Sequence, residues 1–390
     1  MTLDVLDQMI DRRAANSIKW TLYDADVLPL WVADMDFPTP APVIEAMRQK
    51  LDTGVLGYEM APPMLRETVC ERMDRLYGWQ LTPDDVVIIP GVVPGFNLAA
   101  HALCQPGDGL LMQTPVYPPI YVVPQWQQLE RVEAPLTRVT HGHTLHYEVD
   151  VDVFERAITP RTRLFLLCQP HNPIGQDFTA AQLAPLAEAC LRHDVDIYSD
   201  EIHSELLMGD AKHTPMAMLS PEVAQRTITL VAPSKTFNLA GLGCAFAIIQ
   251  NPELRKTYNE AGMGLMPHVK GLSMAGALVA MSRATDEWLA HVRAYLTANR
   301  DTYVDYVAQH LPGIRTTVPE ATYLAWLDCR EAGIQGSPYE FFLKEARVAL
   351  NDGVPFGPGG EGFVRLNFAC QRATLMEALE RMRAALEEKA

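Results

Sequence analysis

The stretch APSKTFNLAGL, residues 232–242, follows an apolar run, Ile228–Val231, which predicts a buried strand. Within the stretch, Lys235 stands alone among small and apolar residues. Partial loss of hydration at such a place lowers the pKa of a lysine and favours the neutral amine. Because a neutral amine can attack a carbonyl group, Lys235 is a candidate for Schiff-base formation. An ordinary surface lysine could also occupy a loop of this kind. Other parts of the sequence are therefore needed to distinguish a Schiff-base lysine from a surface lysine.

From residue 84 onward, short apolar runs alternate with helical patterns, which is typical of an α/β sheet. Further strands are predicted at Val86–Ile89, Leu110–Met112, Leu164–Cys168 and Val195–Ser199. Cys244–Ile249 is also strand-like, but the link that leads to it is too short for a parallel crossover. We therefore expect it to be an antiparallel member of the same sheet.

The chain after residue 285 predicts a second, smaller α+β unit. Its elements are a long amphipathic helix (285–311), a strand (323–327), a helix (338–350), a strand (363–368) and a C-terminal helix (374–388). Residues 1–40 show no regular pattern and are interpreted as an extended arm over the body. The predicted division is therefore an arm at 1–40, a large domain at 41–285 and a small domain at 286–390.

Charge and composition exclude several classes of protein. The 390 residues carry a formal net charge of -16, which argues against nucleic acid and anionic membrane surfaces as partners. No apolar run reaches ~18 residues, so no membrane-spanning helix is expected. Met1–Asp4 does not begin a signal-peptide pattern. The seven cysteines are scattered without a CxxC pair, which predicts a reduced, cytoplasmic protein.

Unusual polar residues follow one predicted strand after another. They are Gly91 with the two valines after it, Tyr117, Asn172, Asp200 and Lys235. In open α/β sheets, ligands bind beyond the carboxyl ends of the strands. Each of these signals is weak alone, but the five together predict one shared site.

Pyridoxal phosphate is the cofactor whose chemistry uses such a set. Lys235 would form the Schiff base, and Asp200 would pair with the protonated pyridine nitrogen. Asn172 can donate to the phenolic oxygen of the ring, and Tyr117 can stack on its face. The backbone amides of Val92 and Val93 open a helix and suit the phosphate, to which Ser234 can add a hydroxyl.

Three motifs carry a resemblance to a known family. PHNPIG at 170–175, SDEIH at 199–203 and SKTFNLAG at 234–241 resemble the fold-type-I, class I/II aminotransferase-like enzymes. More narrowly, WVADMDF at 31–37 together with His203 is similar to the C–S lyase, or cystathionine β-lyase, branch. The resemblance extends from about residue 12 to the C-terminal helix.

The resemblance implies an α/β fold with two domains. The large domain would hold the cofactor on a mixed, mainly parallel seven-stranded sheet sandwiched by helices. The smaller α+β domain would come from the N-terminal arm and the C-terminal segment. The resemblance also implies a homodimer in which Tyr58 reaches the phosphate in the neighbouring subunit's site. Arg365 would clamp the α-carboxylate of an amino-acid substrate, and Trp31 would lie on the substrate side.

Three positions depart from the pattern of many aminotransferases. In many aminotransferases a tyrosine lies three residues after the aspartate. Here that residue is His203, and we expect it to lie near the cofactor. Gly243 stands where a phosphate-binding arginine follows the lysine by eight residues. Both departures fit the lyase branch, and the second leaves the phosphate more dependent on backbone amides, Ser234 and Tyr58. Position 176 is Gln where many relatives have Arg, for which the sequence offers no reason.

Two other constellations compete for a function. His141, His143 and His146 form a short run, and on a strand the first two would share a face. No neighbouring acid or cysteine completes a metal site there, so no metal is expected. Cys168 is interpreted as a small buried side chain rather than a nucleophile.

The predicted function is therefore a β-lyase that depends on pyridoxal phosphate. L-cystathionine or another S-substituted L-cysteine would lose its Cα proton to Lys235 and yield a thiol, pyruvate and ammonia. An aminotransferase would use the same residues and is the first alternative. A non-catalytic regulator on the same fold is the second, and the intact Lys235, Asp200 and Arg365 argue against it.

Overall fold

The computed structural model describes residues 5–389, so the expectation about Met1–Asp4 lies outside the described residues. In chain order the strands are β1 Leu28–Pro29, β2 Val86–Ile89, β3 Gly109–Met112, β4 Glu130–Glu133, β5 Thr137–His141, β6 Thr144–Glu148, β7 Thr162–Cys168, β8 Asp196–Asp200, β9 Thr227–Val231, β10 Ala245–Ile248, β11 Arg315–Thr317, β12 Leu324–Asp328, β13 Val348–Ala349, β14 Asn351–Asp352 and β15 Phe363–Asn367. The helices are α1 Ile18–Thr21, α2 Ala41–Asp52, α3 Pro63–Tyr77, α4 Val92–Leu103, α5 Pro118–Tyr121, α6 Val123–Gln127, α7 Val151–Ala157, α8 Ala180–Arg192, α9 Pro221–Gln225, α10 Pro233–Thr236, α11 Pro252–Gly262, α12 Gly271–Ala280, α13 Asp286–His310, α14 Pro338–Lys344 and α15 Arg372–Lys389.

The larger sheet contains seven strands of the described chain, in the order β2-β10-β9-β8-β7-β3-β4. Its strands run parallel except β10, which is antiparallel to both of its neighbours. The mixed, mainly parallel seven-stranded sheet and the antiparallel place of β10 are thus confirmed.

Helices cover both faces of this sheet, because its central strands are apolar on both sides. In β7, Leu164 and Leu166 pack into the same cluster as Phe96 of α4. Phe165 and Leu167 alternate with them and pack on the opposite face with residues of α8, including Leu183. A strand buried on both faces has to be apolar throughout, which is why these runs could be predicted without alternation.

The second sheet has the order β14-β15-β12-β11-β6-β5. The hairpin of β5 and β6 precedes β7 in the chain, yet its strand β6 pairs with β11 in this sheet. The sequence analysis did not predict this hairpin. His141 and His143 therefore do not share a strand face as expected, since His141 ends β5 and His143 lies in the turn. His141 stacks instead on His146 of the other strand, with ring centroids 5.2 Å apart.

The helix predicted at 338–350 is wrong in its second half. It ends at Lys344, and Arg347 then has a φ of 54°, which a helix cannot continue. Val348 and Ala349 form β13 and pair with β1 of the N-terminal arm. Tertiary pairing therefore overrides an apolar pattern that would also suit a helix.

The long helix α13 has 25 residues and buries Trp288, Val292 and Leu296 in the core of the second unit. That core also takes up Leu30, Met35 and Phe37 of the arm. The predicted domain bounds stay a prediction. Within residues 5–389, no helix is long and apolar enough to cross a membrane.

Gln176 has a structural role that the sequence did not reveal. Its Oε1 accepts from the backbone N–H of Tyr147 at 2.6 Å, and its Nε2 donates to the carbonyl of Tyr147 at 3.0 Å. The side chain thus pairs with β6 as a short piece of strand would. The backbone of Gln176 also pairs with His171. Gln176 therefore fastens the loop that carries Asn172 to the second sheet.

We expect Gln176→Ala to lower the free energy of unfolding by about 1–3 kcal/mol, because it leaves a part-buried N–H and C=O without partners. Urea unfolding measures this change. Gln49→Ala, which removes only a surface bond to Glu45, is the control and should stay within about 0.5 kcal/mol of the parent protein. Equal stability of the two variants would contradict the assigned role.

Candidate active site

A cavity of about 390 Å³ lies at the carboxyl ends of the strands of the larger sheet. Its wall also includes part of the N-terminal arm and Arg365 of β15. Of the residues predicted from the sequence, it brings together Trp31, Val92, Val93, Tyr117, Asn172, Asp200, His203, Ser234, Lys235 and Arg365. Its size is within the range of small-molecule sites.

Parallel pairing explains why residues distant in sequence meet here. Cys168 at the end of β7 is in register with Asp200 at the end of β8, and Asp200 is in register with Leu230 of β9. Asn172 and Lys235 each follow their strand within a few residues. The strands therefore deliver Asn172, Asp200 and Lys235 side by side to one edge of the sheet.

Lys235 lies in α10 and is partly buried, and its Nζ donates to the carbonyl oxygen of Ala33 at 2.7 Å. Burial lowers the pKa of Lys235 to about 8, and the positive charge of Arg365 adds to the decrease. Asp34 and Asp200 oppose it. The expectation of a lysine with a lowered pKa is confirmed, and a substantial fraction of the amine is neutral near pH 8.

Asp200 is buried, and burial raises the pKa of its carboxyl to about 7. The backbone N–H of Ile202 and the charge of Lys235 both favour the ionised form. Its Oδ1 accepts from Ile202 N at 3.3 Å. A protonated ring nitrogen placed against this carboxylate would supply the missing positive charge.

His203 is buried close to Asp200, and its ring meets Tyr323 edge-on with centroids 5.9 Å apart. Burial lowers the pKa of His203 well below its usual value, and the nearby positive charges of Lys235 and Arg365 add to this. Its Nδ1 has no hydrogen-bond partner among residues 5–389. This nitrogen is itself buried, so its hydrogen-bonding capacity is not used by these residues.

Arg365 is buried, and its guanidinium donates to Asn172 Oδ1 at 3.0 Å and to the carbonyl of Trp31 at 2.9 Å. Burial lowers its pKa to about 10. Within the described part of the chain its Nε has no partner. A buried guanidinium that faces an amide and a carbonyl instead of an anion is a ready receptor for a carboxylate.

Another part of the cavity wall is suited to an anion. Val92 and Val93 begin α4, whose first backbone amides and helix dipole favour negative charge. Ser234 lines the same cavity. Gly243 also lines it, but a Cβ there would lie 2.5 Å from the carbonyl oxygen of Pro90. An arginine at this position is therefore excluded by the backbone itself.

Two aromatic side chains form the sides of the cavity. Tyr117 precedes α5, and burial raises the pKa of its hydroxyl. Trp31 is half-buried and its Nε1 donates to the carbonyl of Lys19 at 3.2 Å. Flat apolar walls of this kind suit a planar ring.

Three further polar residues, which were not among the predicted site residues, hold this site. Asn238 binds the backbone of Met35 and Phe37, and Asn367 binds the carbonyls of Val32 and Asp34. The hydroxyl of Tyr323 donates to Ala33 O at 3.0 Å, the same oxygen that Lys235 uses. Asn238 follows Lys235 by three residues, and Asn367 follows Arg365 by two. This proximity in sequence to predicted site residues is the signal that could have identified the two asparagines.

Tyr58 is the one predicted site residue that does not line the cavity of its own chain. It is fully exposed in the link between α2 and α3. Large exposed apolar side chains surround it in sequence: Leu51, Val55, Leu56, Met60 and Met64.

Among residues 5–389 no group of three or more His, Cys, Asp and Glu side chains could hold a metal ion. Cys168 is buried, and burial raises the pKa of its thiol. Its Sγ accepts from the backbone of Asn172 at 3.4 Å. These contacts fit a structural thiol.

The residues of the cavity fit pyridoxal phosphate. Its lining combines the first residues of a helix and a hydroxyl, a buried carboxylate, and an amine of lowered pKa. His203 and Arg365 line the same cavity and add an imidazole and a guanidinium. This donor set matches an anionic group, a protonatable ring nitrogen and an aldehyde.

We expect Lys235→Met to stabilise the cofactor-free protein by about 1–2 kcal/mol at pH 7, because it removes a desolvated ammonium group. Between the folded pKa of about 8 and the usual value of 10.5, only the unfolded chain keeps the proton. The parent protein therefore gains stability as the pH rises through this window, and the difference shrinks. Urea unfolding at pH 7 and 9.5 measures it.

The exposed Lys212 provides the matched control, and Lys212→Met should show no such dependence on pH. A Lys235→Met protein that is less stable than its parent at pH 7 would contradict the lowered pKa.

The chain is similar in sequence and in structure to known proteins. The family model described as aminotransferase class I and II matches residues 25–382. Cystathionine beta-lyase PatB of Bacillus subtilis is 36% identical over 97% of this chain and 99% of its own length. Cystalysin from Treponema denticola, solved with a pyridoxal 5'-phosphate cofactor, is similar in structure with a TM-score of 0.93, 31% identity and 99% coverage of both chains. The PLP-bound C–S lyase from Staphylococcus hominis gives a TM-score of 0.90 at 32% identity, with 98% of this chain and 97% of that chain covered.

Proposed function

The chain belongs to the aminotransferase class I and II family, and we propose that within it the protein is a carbon–sulfur lyase dependent on pyridoxal phosphate. It catalyses β-elimination on L-cystathionine or a related S-substituted L-cysteine. The observation that carries the proposal is one cavity that combines the amine of Lys235, the carboxylate of Asp200 and the incompletely paired guanidinium of Arg365. The names of the relatives that match over nearly the whole chain support the lyase over other reactions of the family.

Bound pyridoxal phosphate supplies an aldehyde for the amino group and a protonated ring that takes up the electrons of a broken Cα–H bond. Asp200 would hold the ring nitrogen, and Asn172 would donate to the phenolic oxygen. Tyr117 would cover the ring face, and His203 would lie near it. The amides of Val92 and Val93 and the hydroxyl of Ser234 would hold the phosphate. The presence of all these residues in the lining of one cavity supports the assignments.

Arg365 binds the α-carboxylate of the substrate and so orients its Cα. Lys235 then takes the Cα proton at Nζ, for which a pKa near neutrality is suited. Trp31 lies beside Arg365 and limits access of water to the substrate. In sum, a thioether amino acid and one water yield a thiol, pyruvate and ammonium, so that the C–S electron pair leaves with sulfur.

An aminotransferase remains the alternative reaction, since Lys235, Asp200 and Arg365 would serve it equally. A non-catalytic regulator on this fold has less support, because Lys235, Asp200 and Arg365 all line the cavity. The hydrogen bonds of Arg365 go to an amide and a carbonyl, so its charge is available to bind an anion. The two reactions differ in their products, which makes them separable by one assay.

We also propose a cytoplasmic homodimer in which Tyr58 acts in the neighbouring subunit's site. Tyr58 is too exposed to serve its own cavity, and the apolar side chains near it, among them Leu56 and Met60, gain from being covered. The absence of Arg at position 243 makes a further phosphate ligand useful.

We expect the protein loaded with pyridoxal phosphate to release pyruvate and free thiol in equal amounts from L-cystathionine without any keto acid. Lys235→Ala is the control and should lower the rate by roughly 10²–10⁴-fold. Conversion of the cofactor to its amine form, with turnover only after a keto acid is added, would identify an aminotransferase instead.

Co-expression of Tyr58→Ala with Lys235→Ala tests the shared site. Each variant alone should be nearly inactive. Random pairing makes half of the dimers mixed, and each mixed dimer has one intact site, so activity should return to about one quarter of the parent value. Failure of the mixture to exceed the single variants would show that Tyr58 does not act across an interface.

A further inference from the structure

Asp177, His213 and Glu201 form a buried charged triad beside the cavity. His213 Nδ1 lies 2.9 Å from Asp177 Oδ1, and its Nε2 lies 3.0 Å from Glu201 Oε2. The side chains of His213, Asp177 and Glu201 are 0%, 3% and 1% exposed, respectively. None of them lines the candidate active site, so the proposed chemistry leaves them without a use.

Both nitrogen atoms of His213 face a carboxylate, and two adjacent negative charges favour the ring in which both nitrogens are protonated and donate. The two carboxylates raise the pKa of His213 to about 9 against the effect of burial. His171 is an instructive contrast, because it is equally buried between two carbonyl oxygens and burial lowers its pKa to about 4. The carboxylates therefore select the charged form of His213.

A buried ionic triad is a costly way to fill a core, since well-packed apolar side chains would serve stability at least as well. Charged hydrogen bonds do, however, fix the positions of the groups that they join. The groups joined here are two loops, and each of them carries residues of the active site.

Glu201 holds the turn after β8. Its Oε1 accepts from Ser199 Oγ at 2.7 Å and from the backbone N–H of Met216 at 3.0 Å. Asp200 precedes this residue and His203 follows it closely. The position of Glu201 therefore determines where the chain presents Asp200 to the cavity.

Asp177 holds the loop after β7, on which Asn172 lies. Its Oδ1 accepts from the side-chain amide of Gln169, which also binds the backbone of Phe178. The backbone N–H of Gln169 donates to the carbonyl of Asp200 at 2.9 Å. The two loops are thus connected once through the backbone and once through His213.

We propose that His213 is a positioning residue that fixes the separation of Asp200 and Asn172 by bridging Glu201 and Asp177. The proposal rests on the proposed function, in which Asp200 would contact the ring nitrogen of the cofactor and Asn172 its phenolic oxygen. Other titratable groups lie against the triad, among them Asp200, which is next to Glu201. The ring of Tyr77 contacts His213 with centroids 5.6 Å apart, and Glu320 lies near Asp177.

His213→Gln tests the proposal, because glutamine stays neutral and cannot donate to both carboxylates from the ring positions. We expect the dissociation constant of pyridoxal phosphate, measured by titration of the cofactor-free protein, to rise about threefold to thirtyfold. We also expect the pH midpoint of the visible absorbance of the bound cofactor to shift. Asp177→Asn should cause the same two changes, since it weakens the other end of the bridge.

Two controls separate positioning from general destabilisation. His193→Gln removes a ring that faces Glu155 on the surface, 3.3 Å away, and should change neither quantity. Leu379→Ala opens the core of α15 far from the triad and lowers stability without touching either loop. It should leave cofactor affinity unchanged at temperatures where it is folded.

A folded His213→Gln protein with the parent's cofactor affinity and the parent's absorbance midpoint would overturn the proposal. If this variant does not fold, Asp177→Asn decides by the same criterion. If neither folds, the triad is required for folding rather than positioning, and the proposal also fails. A parent protein that does not bind pyridoxal phosphate would instead overturn the proposed function.

Discussion

The backbone of residues 31–37 is the constraint on which the active site depends. Its carbonyl oxygens accept hydrogen bonds from Arg365 at Trp31, from Asn367 at Val32 and Asp34, from Lys235 and Tyr323 at Ala33, and from Asn238 at Met35 and Phe37. Side chains from β15, from the region after β9 and from the residue before β12 thus converge on a single irregular segment. The segment cannot be helical, because a helix would use these carbonyl oxygens for its own bonds.

The two acids in this segment anchor it rather than react. Asp36 is buried and accepts from Lys19, Arg12 and Trp20 within 2.8 Å. Asp34 shares Arg12 and also raises the pKa of Lys235 toward its usual value. Charged hydrogen bonds in the interior, where solvent screens them little, therefore hold the arm in its position. Asp34 acts on the amine of Lys235 through its charge.

Much of the larger sheet and its site could be predicted from the sequence, because buried parallel strands are continuous apolar runs and polar residues at their ends are conspicuous. Lys235, Asp200 and Asn172 stand out for this reason. The role of Ala33 could not be predicted, since a backbone carbonyl has no sequence signature. The hairpin β5–β6 was missed because β5 is largely exposed and β6 alternates buried with less buried residues, so neither strand is a continuous apolar run. Val348–Ala349 was assigned to a helix because a short apolar pattern suits a helix as well as a strand. The role of Gln176 could not be predicted, because its hydrogen-bond partner Tyr147 lies 29 residues away in the sequence.

The contact between Gly243 and Pro90 has a consequence for how this chain can change over generations. A change of Gly243 to arginine would not be tolerated alone, because even an alanine methyl group would collide with the Pro90 carbonyl. The backbone near residue 90 would have to move as well. The effect of a substitution at position 243 therefore depends on the residues that place Pro90, and the two positions are epistatic.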